Sequence, residues 1–167
     1  MFPESELKIL AYNRIVKSLA EGVNAETALN QILEVMEVVA EGEDTPSKKG
    51  EISVYVNKSW KKLRFKEAAP SDPVKSLDCS VLQDRILEPI FGIDDPRTNS
   101  NVDFVGGIRG TKELERLVDS GKAAIAVSMY PVTVGELISV ADSGQTMPPK
   151  STWFEPKLRS GVAVNRF

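Results

Sequence analysis

Residues 123–130 read AAIAVSMY, an almost unbroken apolar run, and no other stretch of this 167-residue chain limits the fold so sharply. An apolar run of strand length without polar alternation fits a central strand buried on both faces. Such a strand needs neighbours on both edges and covering layers above and below. The flanking segments supply them. Residues 102–105 form a short strand running into a glycine-rich turn. Thr111 caps a helix whose face carries Leu114, Leu117 and Val118, stopped by Gly121. Thr133-Val134-Gly135-Glu136 has the form of a capping box, followed by Leu137, Ile138 and Ala141 at helical spacing and a stop at Gly144.

Upstream, residues 7–19 hold clustered apolar side chains that suit either a strand or a helix. Asn24 is placed to cap a helix with Leu29, Ile32, Leu33 and Met36 on one face, and Val38-Val39 lead into an extended piece. Ile52, Val54 and Val56, then Leu63 and Phe65, alternate around Asn57-Lys58-Ser59 and predict a hairpin. Ser80-Val81-Leu82-Gln83 reads as a second capping box, heading a helix with Leu82, Ile86 and Ile90 in line and Gly92 as its stop. Residues 94–101 are a polar turn cluster. Residues 145–159 form a rigid proline-rich loop, and Val162 and Val164 alternate in a last strand over residues 161–167. The expected class is α/β or α+β, a mixed β-sheet with about four helices packed on it, in one domain over residues 1–167.

Composition narrows the chemistry. There is no histidine and one cysteine, Cys79, which excludes Ser-His-Asp and Cys-His catalysis, His-ligated zinc and an intramolecular disulfide. Carboxylates, lysines, arginines, hydroxyls and backbone N–H groups remain, a set that suits phosphate binding or phosphoryl transfer, which rest on positioning and electrostatics. The net charge of −3 argues against a nucleic-acid partner. No apolar run approaches the roughly 18 residues a membrane span needs, and the acidic start lacks the pattern of a secretory signal; a cytoplasmic protein is expected. Residues 21–45 carry seven acidic side chains and no basic one, and residues 46–66 seven basic ones against Glu51 alone. These read as two solvated faces of opposite sign lying near each other, with a basic binding face as the alternative.

Three places could hold chemistry. In residues 105–111 (VGGIRGT), Gly106 and Gly107 allow a close backbone approach at a helix start, and Arg109 offers a bidentate contact to phosphate or carboxylate. A tight strand-to-helix turn with a solvated arginine is the structural alternative. In residues 147–160, Lys150, Ser151 and Thr152 could face a ligand while Trp153 and Phe154 pin the loop, and Lys157 and Arg159 extend the positive charge; alternatively the loop simply covers the core edge. Asp94, Asp95 and Asp103, around Arg97 and Thr98, could bind Mg²⁺ with a phosphate ligand, although turn and capping chemistry is the reading favoured for them. Arg109 and Lys150 are expected on one side of the sheet, gripping one phosphate.

The strings YNRIVKSL, LDCSVLQDRILEPIFGIDDPRTNSNVDFVGGIRG and AVSMYPVTVGELISVADSGQTMPPKSTWFEPKLRSG resemble the C-terminal half of a bacterial and archaeal family, domain of unknown function 1015. That family is similar to the ParB/sulfiredoxin superfamily, whose members include CTP-using partition proteins and free-serine kinases. The resemblance implies a nucleotide- or phosphate-ligand-binding role, in a small-molecule kinase-like enzyme that could use a nucleotide with Mg²⁺ and a phosphorylated small molecule. Arg97, Gly106, Gly107, Arg109, Lys150, Ser151, Thr152, Lys157 and Arg159 would be its ligand-gripping residues. Full-length members carry an N-terminal half with an Ala-Asp-Gly-His-His-Arg motif, which this histidine-free chain lacks. The resemblance therefore implies a C-terminal part completed by a missing N-terminal half or a separate polypeptide, and inactive in isolation. The alternative is a non-catalytic regulatory or interaction module.

Overall fold

A computed structural model describes residues 8–156; the strand expected over residues 161–167, Lys157 and Arg159 lie outside them. The apolar run becomes β7, Ile125–Met129, every residue of it buried. Its neighbours are β2 (Tyr12–Val16) on one edge and β4 (Glu51–Val56) on the other. The sheet continues outward from β4 to β5 (Ser59–Phe65) and β3 (Met36–Glu41), and from β2 to β6 (Val102–Gly106), in the order β3-β5-β4-β7-β2-β6. A second, two-stranded sheet pairs β1 (Lys8–Leu10) with β8 (Trp153–Glu155).

The protein is α+β. Every ladder between described strands is antiparallel, so the parallel pairings that a mixed sheet would include do not occur among them. The ambiguous segment at residues 7–19 is two strands, and the proline-rich segment contains β8 as well as loop. The β4–β5 hairpin turns at Asn57 and Lys58, both with positive φ (50° and 59°), the backbone of the two-residue turn whose twist matches its strands.

One face of the sheet carries Val16, Ile52, Val54, Leu63, Ile125 and Val127 and forms the larger core. It packs against α1 (Ala25–Val35), α5 (Val134–Asp142), and a helix of three parts: α2 (Asp78–Leu82), a π turn over Gln83–Leu87, and α3 (Glu88–Phe91). The other face carries Ile15, Tyr55, Trp60, Val105 and Ala126, covered by Leu114 of α4 (Gly110–Asp119). Counting α2–α3 as one, there are four helices among the described residues.

Two caps follow the sequence. Asn24 accepts from the Thr27 N–H at 2.8 Å, and Thr133 and Glu136 form the reciprocal capping box of α5. Two do not. The Ser80 hydroxyl donates to the Val74 carbonyl at 2.7 Å instead of capping, and its helix begins two residues earlier, at Asp78. Thr111 lies inside α4 and donates to Asp44 at 2.6 Å. In both cases an acceptor outside the helix, near in sequence for Ser80 and distant for Thr111, takes the hydroxyl that local spacing assigned to a cap.

Candidate anion-binding cleft

Alternation along β2 sends Tyr12, Arg14 and Val16 to the larger-core face and Asn13 and Ile15 to the α4 face. Arg14 is thereby carried into the interior, 5% exposed. Its guanidinium donates to the carbonyls of Tyr12 and Lys150, the latter at 3.3 Å, and lies 5.5 Å from the Phe104 ring centre. No carboxylate pairs with it among the described residues. Burial pushes its pKa down from the ordinary arginine value, opposed by the neighbouring Cys79 sulfur; an arginine nevertheless stays protonated. Cys79 is buried, which pushes its thiol up and leaves it neutral, with Arg14 pulling the other way. A buried cation answered only by carbonyl dipoles and a ring face is short of negative charge.

Arg14 lines a narrow cleft of about 120 Å³ with Cys79, Ser80, Gln83, Asp84, Pro96, Pro148 and Pro149. The Gln83 side chain donates to the Ile93 carbonyl at 2.6 Å, while its Oε1 is buried without a partner. The π turn starts at Gln83, the kind of helix irregularity that accompanies functional sites. Each sequence string that carries the family resemblance reaches this cleft: Arg14 from the first, Cys79 to Asp84 and Pro96 from the second, Pro148 and Pro149 from the third.

The expected site residues divide. Lys150 and Ser151 adjoin the cleft. Lys150 turns the chain in the left-handed region (φ 55°), offers its carbonyl to Arg14 and sets its Nζ 5.5 Å from the Tyr12 ring centre. The Ser151 hydroxyl is buried and donates to the Pro148 carbonyl at 2.7 Å, so it tightens the turn. Thr152 leads into β8. Gly106 and Gly107 serve packing: a Cβ on Gly106 would stand 2.4 Å from the Trp153 ring, and one on Gly107 2.6 Å from the Ala11 carbonyl. Arg97 is exposed and held bidentately by Asp95, at 2.9 and 2.7 Å. Arg109 is exposed, 3.8 Å from Glu113, at the start of α4. Lys150 thus stands over Tyr12, whereas Arg109 stands beside Glu113 at the start of α4. Asp94, Asp95 and Asp103 do not converge: the first two serve the turn, Asp103 lies 3.7 Å from Lys17, and no group of three metal-ligating side chains occurs among the described residues.

The oppositely charged stretches lie against each other, as expected. Glu37 and Glu41 on β3 face Arg64 and Lys61 on β5, with ion pairs at 3.6 and 2.7 Å. Sequence reasoning missed Arg14. Its signal is a cation at the inward position of an alternating strand, between Tyr12 and Val16.

The fold and cleft describe a sheet protein with a buried cation open to an anion. Residues 1–80 match the model of a family described as "Protein of unknown function (DUF1015)", and the match supports this chain's membership of that family. No curated protein matches the chain. Among solved structures it is similar to a free serine kinase in complex with AMP, at 13% identity and a TM-score of 0.50, covering 90% of this chain and 55% of that one. A conserved hypothetical protein from Pyrococcus furiosus matches at 16% identity and a TM-score of 0.50, covering 92% of this chain and 57% of that one. At these identities the likeness is one of fold, and the chain spans just over half the length of the structures it matches. No helix among the described residues is long and apolar enough to cross a membrane.

Proposed function

We propose that this chain supplies the phosphate-binding part of a nucleotide- or phosphate-ligand-binding protein of the small-molecule kinase kind, completed by residues outside it. Arg14 carries the reading: a buried, protonated guanidinium at the back of a cleft, with no carboxylate to balance it. A phosphoryl group would supply the missing negative charge and accept charge-assisted hydrogen bonds there. Lys150, whose carbonyl meets Arg14 and whose Nζ stands over Tyr12, adds a nearby cation, and Lys157 and Arg159 continue the same basic segment in sequence. The cleft has room for a phosphate but is smaller than the roughly 300–1,000 Å³ of complete ligand pockets, which leaves the rest of the ligand to the completing half. The fold likeness to a free serine kinase in complex with AMP supports the same reading. Phosphoryl transfer asks of this part mainly positioning and charge neutralisation. The isolated chain should bind without turning over, since Cys79 is neutral and the described residues assemble no base beside a nucleophile.

Calorimetry with AMP, ADP and inorganic phosphate tests the reading. The chain should bind at least one of them, and Arg14→Gln should weaken that binding at least about tenfold, the loss of one or two charge-assisted contacts. Equal binding by the variant, or no binding by the parent chain, would end the proposal.

A further inference from the structure

On the other face of the sheet, Asn13, Ser128, Ser53 and Lys62 form a polar row across four adjacent strands. Ser53 pairs with Ser128 and with Lys62 in the two ladders of β4, and the β2–β7 register places Asn13 beside Ser128. All four are buried, Asn13 and Ser128 at 3% exposure each. Lys62 is satisfied by Glu43 and Ser47. The rest of the row is not. Asn13 uses its Oδ1 to accept the Met129 N–H at 3.0 Å, but its Nδ2 donates to nothing described. The Ser53 hydroxyl is fully buried without a partner, and the Ser128 hydroxyl, on a residue 3% exposed, bonds no described group and opens on a cleft. Buried polar groups are almost always hydrogen-bonded, so neighbouring exceptions need a cause.

Asn13 and Ser128 form the floor of a cleft of about 380 Å³ whose walls include Thr45, Gly107, Gly110 and Thr111. The last two open α4, a ten-residue helix without a side-chain cap that continues a 3-10 turn over Gly107–Arg109, so the Gly110 N–H already donates to the Gly107 carbonyl and the free first-turn donors begin at Thr111. The Asn13 Nδ2 and the Ser128 hydroxyl, on residues 3% exposed and with no described acceptor, thus share a cleft with the start of a helix, the positive end of its dipole. We infer that this cleft is a second ligand site, which takes a small carboxylate. The donors, a carboxamide N–H, a hydroxyl and the first-turn backbone, suit an acceptor-only group. No lysine or arginine lines the cleft, and Asp44 stands at its edge on the Thr111 hydroxyl. A singly charged carboxylate tolerates that neighbour better than a phosphate dianion does, which separates this site from the Arg14 cleft and goes beyond the function proposed above.

The test is an amide-resolved NMR titration of the full chain with glycolate, acetate and inorganic phosphate. Glycolate and acetate should shift the Thr111 and Lys112 amides and the Asn13 side-chain amide saturably, and phosphate should do so more weakly. Ser128→Ala should weaken glycolate at least about fivefold, the worth of one hydrogen bond, while its melting temperature stays near the parent's because that hydroxyl supports nothing else described. Ser53→Ala, which does not line the cleft, should bind glycolate unchanged. Arg14→Gln should leave these shifts intact, so this inference and the proposed function fail separately. The inference is overturned by an absence of saturable shifts, which would mean that water alone fills the row, by phosphate outcompeting glycolate at these amides, or by undiminished binding in Ser128→Ala.

Discussion

Arg14 and Lys62 are equally buried cations on one sheet, 5% and 4% exposed, yet their surroundings differ. Lys62 sits on β5 toward the β3 edge, where residues 43–47 fold over it and provide the Glu43 carboxylate and the Ser47 hydroxyl, the latter at 2.7 Å. Arg14 sits on β2, one strand in from the β6 edge, and receives carbonyls and a ring face. The first cation is complete within the chain. The second has no counter-charge among the described residues, and the proposed function assigns that place to a ligand anion. Burial alone does not single out a charge; burial without a counter-charge does, because the fold then bears a desolvation cost that a bound anion would offset.

The largest expected effect comes from a buried charge of the opposite sign. Asp78, the residue before Cys79 but outside the Arg14 cleft, accepts the Gly50 N–H at 3.0 Å, and burial, with Glu136 adding to it, pushes its pKa up from 3.8 to about 6. A raised carboxylate contributes stability that is full below pH 3.8 and lost as pH rises through about 6. Asp78→Asn keeps an acceptor for Gly50 and should remove this loss. Urea unfolding should show the variant gaining on the parent between pH 4 and pH 7.5, by up to about 3 kcal/mol. A gap that does not change with pH would show that Asp78 ionises without penalty.

Arg14→Met sharpens the comparison directly. With no carboxylate left unpaired by the change, unfolding in phosphate-free buffer should find the variant within about 1 kcal/mol of the parent, or more stable. A loss of several kcal/mol would show that the guanidinium is structurally paired after all. The smallest effect belongs to Glu43→Gln. Lys62 would lose its carboxylate, but the Glu43 side chain is 56% exposed, so thermal unfolding should register only about 0.5–1 kcal/mol. That loss should shrink as added salt screens the parent's ion pair.

Much of the framework is legible in the residue order because its causes are local. The 123–130 run, the Asn24 cap, the Thr133 capping box and the Asn57-Lys58 turn each depend on side chains within a few positions of one another. The acidic and basic stretches also announce their pairing, since β3 and β5 sit around one hairpin. The candidate cleft was half legible. The proline-rich loop and Lys150 stood out by composition, whereas Arg14 was hidden in a short strand whose apolar neighbours suggested only packing.

By itself the sequence determined the covered central strand, the helices with their local stops, and a chemistry without histidine. Tertiary structure alone decided the rest. It pairs Lys8, Ile9 and Leu10 with Glu155, Phe154 and Trp153, a contact between opposite ends of the described chain that no short-range pattern encodes. It gives the Ser80 and Thr111 hydroxyls to distant or neighbouring acceptors in place of helix caps, and it carries Arg14 to the Lys150 carbonyl and the Phe104 ring. The physical reason is common to all three. Propensity and capping are settled over a few residues, whereas the partner of a buried polar group is whatever long-range packing brings within hydrogen-bond reach.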